Sequence, residues 1–377
     1  MMKKNLAMIL IILMMFSSIV PVHAAQYRNV DKNEKPGYME SPVRIEYQPD
    51  LYGTWKGPSK FIPKDAREDL ADYTAPTTPV KDQQSLGTCW AHAAYGNMES
   101  FLKQKTGAEY DFSENHAKNL LAKGMIKGKN PYSYDWDVYQ GGNFDMMTAY
   151  WTRGEATGPV LEADDPYDGS ERKVELQDVL AKPITGQYVS GTKTLGSIYF
   201  ENGAKNWWKS RLQKSYIKDM KAMIQKYGAI YATYYSSDYT DQIFSYQDGT
   251  QGLAYLSRKR KQSVDVNLID HAITVVGWDD TFSRKNFSKE CRPDADGAFL
   301  VKNSWGDQWG EKGYFWISYE EYFSQASTIT NLTTRDDLYD HLYEYDTFGL
   351  TTNWWCGSSE KAVYMNCFKR ESLEQQK

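Results

Sequence analysis

The chain has 377 residues, of which 41% are hydrophobic, and its formal net charge is −5 at pH 7. This mildly acidic balance is not typical of proteins that bind nucleic acid, so we expect no nucleic-acid partner. Four cysteines are too few for a disulfide scaffold, and stability therefore has to come from a hydrophobic core.

The N-terminus has the pattern of a secretory signal peptide. Lys3 and Lys4 precede an apolar run over Leu6–Val20, and a small-residue site follows at Val22–Ala24. Because the apolar run is short and a processing site follows it, a retained membrane anchor is the less favoured interpretation. We predict cleavage after residue 24, which removes two lysines and takes the net charge from −5 to −7. The mature chain is then secreted or extracytoplasmic, in the periplasm or at the cell surface, with no stable membrane insertion.

The remaining chain changes character from helix to strand. Residues 25–62 are polar and show no sustained helical period, so we interpret them as a pro-segment or N-terminal extension. Helical periods follow in "TCWAHAAYGNMESFLKQKTG", "FDMMTAYWTRG" and "SYIKDMKAMIQKYG". After Gly228, short apolar runs predict strands: "AIYATYY", "HAITVVGW", "GAFLVKN" and "GYFWISY". A helical half followed by a β-rich half predicts an α+β fold.

The first helical stretch carries a solitary cysteine, Cys89. Its apolar residues fall on one face, Thr88 can cap the start, and Gly107 can end the helix. This places Cys89 in the first turn and off the apolar face. The positive end of the helix dipole favours the thiolate form of a cysteine at that position.

A nucleophilic thiol needs a base, and the sequence offers several histidines. His92 shares the helix with Cys89 at i+3, where a histidine satisfied on the helix surface is favoured over a catalytic partner. His116 is interpreted as an ordinary helix histidine. His271 begins one predicted strand, and Asn303 ends the next. Antiparallel pairing brings these two to the same sheet edge, where a neutral amide can orient the imidazole.

Three blocks of the sequence, "PVKDQQSLGTCWAHAA", "DHAITVVGW" and "VKNSWGDQWGEKGYFWI", resemble in the same order those of papain-like cysteine peptidases. Weaker echoes occur at "FSEN", "QGG" and "DPY". The resemblance covers roughly residues 63–335. It implies a papain-like two-lobe fold, with an N-terminal helical lobe, a C-terminal antiparallel β-rich lobe and the active site in the cleft between them. It also implies hydrolysis of protein or peptide substrates without a metal or organic cofactor.

The resemblance implies roles for four catalytic residues. Cys89 is the nucleophile, and His271 is the general base and then the general acid. Asn303 orients the imidazole, and Gln83 shares the oxyanion hole with the Cys89 backbone N–H.

Three further residues are implied at the substrate cleft. Trp305 covers the hydrogen bond between Asn303 and His271 and keeps water away. Gly141 and Gly142 present bare backbone along which an extended peptide can pair, with an ordinary turn as the alternative interpretation.

The sequence departs from the family pattern beside the nucleophile. Leu86 and Tyr139 stand where the family usually has two cysteines that bridge, so we predict an apolar contact in place of the disulfide. His92 replaces a usual aromatic residue. Neither change removes a catalytic group.

The spacing of the catalytic residues also departs from the family. Cys89 and His271 are 182 residues apart, whereas about 130–150 is typical. We expect the excess in insertions over Asp168–Lys209 and Asp241–Val266. The segment 25–62 is short for a propeptide of this family.

Two alternatives to a secreted endopeptidase stay open. An exopeptidase would need a group that grips the end of the substrate, and no histidine pair in an insertion supplies one. A catalytically inactive papain-like module that binds a surface would have no need for the complete catalytic set.

The C-terminal segment 336–377 is rich in aromatic residues and is similar to the start of lectin-like accessory segments of bacterial secreted peptidases. This resemblance implies contact with a cell surface or sugar. Cys356 and Cys367 are the nearest cysteine pair, but the connectivity among Cys291, Cys356 and Cys367 is open.

Overall fold

The computed structural model describes residues 39, 70–153, 158–195, 211–237, 241–258 and 269–334. The predicted signal peptide over 1–24, the segment 25–62 apart from Met39, and the tail 336–377 with its two cysteines lie outside the described residues.

Five α-helices lie within these ranges, and the three predicted helical stretches are confirmed as the first, third and fifth. They are α1 (Cys89–Thr106), α2 (Glu114–Leu121), α3 (Phe144–Thr152), α4 (Leu176–Leu180) and α5 (Arg211–Tyr227). No helix of the described ranges is long and apolar enough to cross a membrane.

Nine strands within the described ranges form one mixed, mostly antiparallel sheet. They are β1 (Asp72–Thr74), β2 (Gln187–Leu195), β3 (Ile230–Tyr234), β4 (Gln242–Ser245), β5 (Gln251–Tyr255), β6 (His271–Asp279), β7 (Ala298–Lys302), β8 (Tyr314–Ser318) and β9 (Gln325–Thr334). Their order is β2-β9-β3-β6-β7-β8-β5-β4, and β1 pairs with β6 outside this path. The four predicted strands are confirmed as β3, β6, β7 and β8.

Helix α1 ends as predicted but begins differently. Gly107 adopts the left-handed conformation with φ 74°, and its N–H donates to the Lys103 carbonyl, which closes the helix. Thr88 occupies the N-cap position without making a side-chain cap hydrogen bond. The Thr88 hydroxyl instead bonds to the Tyr167 hydroxyl at 2.7 Å. The start of the helix is therefore fixed by a tertiary contact rather than by a local cap.

The burial of α1 is the main departure from its predicted amphipathic pattern. Every residue from Cys89 to Leu102 is buried, so Cys89 does not lie on an exposed side of the helix. The sheet covers one side of α1 and the helices α2 and α3 pack on the other. From Cys89 to Leu102 the helix therefore has no solvent face to which its polar residues can turn, and only its last turn reaches solvent.

Helix α1 approaches the central strand β6 closely because of a glycine. A Cβ atom added at Gly96 would lie 2.5 Å from the Thr274 hydroxyl oxygen. The Thr274 hydroxyl also donates to the Ala93 carbonyl at 3.3 Å. The glycine therefore sets the distance between the helix that begins with Cys89 and the strand that begins with His271.

The predicted pairing of the histidine strand with the asparagine strand is confirmed. Strands β6 and β7 are antiparallel, with Thr274 opposite Lys302 and Asp279 opposite Ala298. The start of β6 therefore lies beside the end of β7, which brings His271 and Asn303 to the same edge.

Both expected insertions contain helices or strands that were not predicted. The first contains α4 and β2, and the second contains the hairpin of β4 and β5. Strands β2 and β4 form the two ends of the sheet path. In β2 only Val189 and Leu195 are fully buried, which explains why no apolar run marked the strand.

Leu86 and Tyr139, which stand where the family usually has its disulfide, belong to one apolar cluster, and a direct contact between their side chains stays a prediction. Leu86 forms a small buried cluster against which Tyr139 packs. The other buried members of the cluster are Ala122, Met125 and Val138.

We predict that Gly96→Ala lowers the free energy of unfolding by about 1–3 kcal/mol, because the new methyl group overlaps Thr274. Urea denaturation of the variant measures this loss. Thr274→Ala is the matched second change, since it removes the atoms that the methyl group meets. The two changes and their combination form a double-mutant cycle. The proposed contact would be contradicted if Gly96→Ala cost as much in the Thr274→Ala background as in the wild-type background.

Candidate active site

Cys89 is the first residue of α1, and its thiol is free and fully buried. The Ala272 backbone N–H donates to the Cys89 sulfur at 3.3 Å. Ala272 directly follows His271 in β6, so the hydrogen bond ties the thiol to the strand of the predicted base.

The electrostatic environment of the thiol differs from the prediction based on the helix dipole. Burial raises the pKa of Cys89, and the Asp270 carboxylate adds to the rise. Backbone N–H donors, including that of Ala272, oppose it. An isolated thiolate is therefore disfavoured here, and ionisation of Cys89 calls for a cation beside it.

His271 is held by an amide and an indole. Its Nε2 lies 2.8 Å from the Asn303 side-chain oxygen. The Trp305 indole stacks on the imidazole, with 4.8 Å between the ring centroids and 25° between the planes. The Ser304 backbone N–H donates to the same Asn303 oxygen at 2.9 Å, which identifies the oxygen side of the amide. The imidazole is thus fixed in plane and in orientation.

Gln83 lies on the loop that precedes α1, and its amide is held at both ends. The Gln83 Nε2 donates to the Leu86 carbonyl at 2.8 Å. The Ser304 hydroxyl donates to the Gln83 Oε1 at 2.7 Å. The Gln83 backbone N–H also donates to the Ser304 carbonyl at 2.8 Å. Ser304 was not among the predicted site residues, although it directly follows Asn303 in the third family block.

Tyr167 ties the Gln83 loop to the start of α1. Its hydroxyl donates to the Gln83 carbonyl at 2.9 Å and is 2.7 Å from the Thr88 hydroxyl. The Tyr167 N–H in turn donates to the Glu162 carboxylate at 2.7 Å. The motif "DPY" was noted in the sequence only as a family echo, and its contact with the Gln83 loop requires the tertiary structure.

The two predicted cleft glycines have different constraints. Gly141 has a positive φ of 93°, a conformation that other residues rarely adopt. At Gly142 an added Cβ would lie 2.7 Å from the Trp90 indole. The Gly142 carbonyl accepts a hydrogen bond from the Met39 N–H at 2.9 Å. The backbone at this glycine therefore does accept pairing from another stretch of chain.

The two other histidines near the helices make contacts of their own. His92 Nδ1 lies 3.0 Å from the Thr88 carbonyl, and its ring meets Tyr167 edge-on. His92 is 6% exposed, so it is more buried than expected, but its hydrogen bond to Thr88 within the helix agrees with the prediction of a locally satisfied histidine. His116 contacts the Tyr150 hydroxyl and the Val179 carbonyl through its two nitrogens.

A buried thiol at a helix start, beside a sheet edge that carries an imidazole held by an amide, defines the class of cysteine-dependent peptidases. The family comparison agrees with this class. Residues 63–333 match the family described as "Papain family cysteine protease". The chain belongs to the papain family.

The sequence identity between this chain and relatives with described functions is low. Mouse cathepsin K is 24% identical over 272 residues, which are 71% of this chain and 64% of that protein. Oryzain beta chain from rice is 26% identical over 63% of this chain and 38% of its own length. The chain thus spans less than two thirds of the length of these relatives.

Solved structures show the same fold. The clostridial cysteine protease Cwp84 after propeptide cleavage has a TM-score of 0.53 and 26% identity, covering 70% of this chain and 58% of that one. A structure of the cysteine protease and lectin-like domains of Cwp84, a surface layer associated protein of Clostridium difficile, has a TM-score of 0.54 and 23% identity. It covers 78% of this chain and 62% of that one. The papain-like α+β fold predicted from the sequence is confirmed.

We predict a pH-dependent gain in stability for Glu162→Gln. Burial raises the pKa of Glu162 to about 7, above the value of about 4.3 for an unfolded chain. The folded state therefore binds the proton more tightly, and wild-type stability falls as pH rises from about 4.5 to about 7. Glutamine keeps an oxygen for the Tyr167 N–H and has no charge to bury. Urea denaturation at pH 5 and pH 8 is the measurement, and an equal variant effect at both values would contradict the prediction.

Proposed function

We propose that the chain is a secreted cysteine endopeptidase in which Cys89, His271 and Asn303 form the catalytic triad. Two hydrogen bonds at one edge of the sheet support this proposal. The N–H of Ala272 reaches the Cys89 sulfur, while the adjacent His271 bonds to Asn303. In the proposed domain division, the peptidase domain occupies residues 63–335.

In the proposed reaction, the Cys89 thiolate is formed as an ion pair with the His271 imidazolium. Burial alone raises the thiol pKa, so a neighbouring cation is the group that can stabilise the thiolate. The Asn303 oxygen accepts the imidazolium N–H on the far side of the ring. This arrangement leaves the other ring nitrogen for exchange of a proton with the sulfur.

The thiolate attacks the carbonyl carbon of the scissile peptide bond and forms a tetrahedral intermediate. The Cys89 backbone N–H and the Gln83 amide stabilise its oxyanion. Gln83 Nε2 gives one hydrogen to the Leu86 carbonyl and carries a second that is available to the oxyanion. The first of these bonds keeps the amide in place.

Collapse of the intermediate breaks the C–N bond, and His271 gives its proton to the leaving amine. The acyl group remains on Cys89 as a thioester. His271 then removes a proton from water, which attacks the thioester and releases the acid. The cycle ends with thiol and imidazole restored, and neither a metal nor an organic cofactor takes part.

Peptide substrates are proposed to bind in extended form at Gly142. The hydrogen bond from Met39 to the Gly142 carbonyl supports this mode, because it uses the backbone as a strand partner. Secretion is supported by the N-terminal signal pattern and by the surface-layer association described for Cwp84.

We expect Cys89→Ala to abolish cleavage of an internally quenched peptide by the purified mature protein, because no other group replaces the nucleophile. A thiol-directed epoxide should label Cys89, whereas Cys291 serves as an internal control because it lies away from the candidate site, in a separate apolar cluster. Mass spectrometry of both the labelled protein and the products completes the test.

Activity in the alanine variant would refute the proposal, and an unlabelled wild-type Cys89 would indicate a binding module. Stepwise removal of terminal residues from a long peptide would indicate an exopeptidase.

We expect Gln83→Ala to lower kcat about 100-fold through loss of an oxyanion donor. Ser304→Ala should lower kcat by about fivefold, because it removes only the hydrogen bond that orients the Gln83 oxygen. Ser85→Ala, at an exposed position of the same loop, is the matched control with unchanged kcat. Steady-state kinetics with one peptide distinguishes the three. A Gln83 variant with wild-type kcat would exclude the amide from the oxyanion hole.

A further inference from the structure

A small cavity lies between α1 and the sheet, adjacent to the triad. His92, Glu99, Lys302 and Asn303 are among its lining residues. It offers about 10 Å³ to a water molecule, close to the minimum of about 10–15 Å³ that one water needs. The cavity thus has room for a single small molecule.

His92 contributes an unsatisfied acceptor to this region. Its Nδ1 lies 3.0 Å from the Thr88 carbonyl, which can only accept, so Nδ1 carries the hydrogen. The Nε2 atom therefore presents a lone pair. It is buried and has no hydrogen-bond partner among the described residues. Burial lowers the pKa of His92 to about 3, which keeps the ring neutral near pH 7.

Asn303 contributes an unsatisfied donor. Its oxygen lies 2.8 Å from His271 Nε2 and accepts from the Ser304 N–H at 2.9 Å, which leaves the NH2 group on the opposite side. The Asn303 Nδ2 atom is buried and has no partner within the described ranges. A donor and an acceptor, each on a residue more than nine-tenths buried, therefore belong to the wall of one cavity.

We propose that a water molecule in this cavity accepts a hydrogen bond from Asn303 Nδ2 and donates one to His92 Nε2. His92 is then a positioning residue, which acts on His271 through the water and the Asn303 amide. Holding the NH2 side of the amide keeps its oxygen on the imidazolium N–H. This inference rests on the proposed function of the triad, whose own test uses Cys89 and is separate.

The charges around the cavity favour a neutral molecule over an ion. Lys302 donates to the carbonyl and the hydroxyl of Thr78, both at 3.0 Å. Glu99 accepts from the Thr78 hydroxyl at 2.5 Å and from Lys81 at 3.0 Å. The lining charges are thus already engaged with protein groups. A water supplies both a donor and an acceptor and satisfies both orphaned atoms without adding a charge.

Three substitutions of His92 separate the roles of its two nitrogens. His92→Gln places an amide oxygen near the position of Nε2, but it has no donor at the position of Nδ1 and loses the hydrogen bond to the Thr88 carbonyl. His92→Asn places an amide NH2 near the position of Nδ1, but it has no acceptor at the position of Nε2. His92→Phe removes both functions and introduces the aromatic character usual at this position in the family. Thermal unfolding of each variant monitors the structural cost.

The readouts are kcat/KM for peptide cleavage and the pH dependence of Cys89 alkylation by iodoacetamide, with the label located by mass spectrometry. In alkylation the thiolate displaces iodide from the CH2 group. A loosened Asn303 stabilises the imidazolium less, so the imidazolium of the ion pair loses its proton at lower pH and the alkaline inflection of the alkylation profile moves downward. Alkylation does not depend on peptide cleavage, so failure of the peptide assay alone concerns the proposed function rather than the role of His92.

We expect His92→Asn and His92→Phe each to lower kcat/KM by about fivefold and to shift the alkaline inflection of the alkylation profile downward. We expect His92→Gln to restore both readouts to within about twofold of the wild type. The reverse order, in which asparagine substitutes well and glutamine does not, would assign His92 to its bond with Thr88 and overturn the proposal. A high-resolution structure with no water between His92 and Asn303 would also overturn it.

Discussion

The contact between the start of α1 and the start of β6 is the interaction on which the rest of the site depends. Ala272 donates to the Cys89 sulfur, and two turns further along the helix Gly96 meets Thr274 on the same strand. These contacts bring together a thiol and an imidazole that are 182 residues apart in sequence. A side chain at Gly96 would push the helix away from the strand, and the distance between the Cys89 sulfur and the Ala272 N–H would change with it. The packing of Gly96 against Thr274 inside the core thereby affects the position of Cys89 relative to β6 at the edge of the core.

The loop that carries Gln83 depends on a different kind of interaction, a buried ionic cluster. Lys81 Nζ lies 3.0 Å from Glu99 on α1 and 3.0 Å from Glu114 on α2. Burial lowers the pKa of Lys81, but the surrounding carboxylates outweigh it and hold the pKa well above its ordinary value. The lysine therefore stays charged and links the loop to both helices. Since displacement of Lys81 would leave the buried carboxylates of Glu99 and Glu114 without their shared counter-ion, the cluster favours a single arrangement of the loop. Gln83 lies two residues beyond this anchor.

The sequence predicted the features that depend on local pattern or on pairing direction. The end of α1 follows from Gly107, and the meeting of His271 with Asn303 follows from antiparallel pairing of adjacent strands. It did not predict features that depend on what surrounds an element. The apolar face of α1 gave no sign that its opposite face is also covered, so both Cys89 and His92 were expected to be more accessible. The edge strand β2 has too few buried positions to produce an apolar run, and Ser304 acts through a loop that only the tertiary fold brings near.

The neutral amide of Asn303 suits a site in which burial already disfavours the negative charge of a thiolate. A carboxylate in place of Asn303 would also accept the imidazolium N–H, but it would put a further negative charge close to a sulfur whose ionisation burial already disfavours. The amide oxygen holds the ring by a dipole instead, and the Ser304 N–H shares that oxygen. Such an amide can rotate unless its other end is held, because its oxygen and nitrogen ends are of nearly equal size. An amide that orients the ring therefore needs further hydrogen bonds that keep its oxygen, rather than its nitrogen, toward the imidazole. The Ser304 N–H meets that need at the oxygen, and the water proposed beside His92 would meet it at the nitrogen.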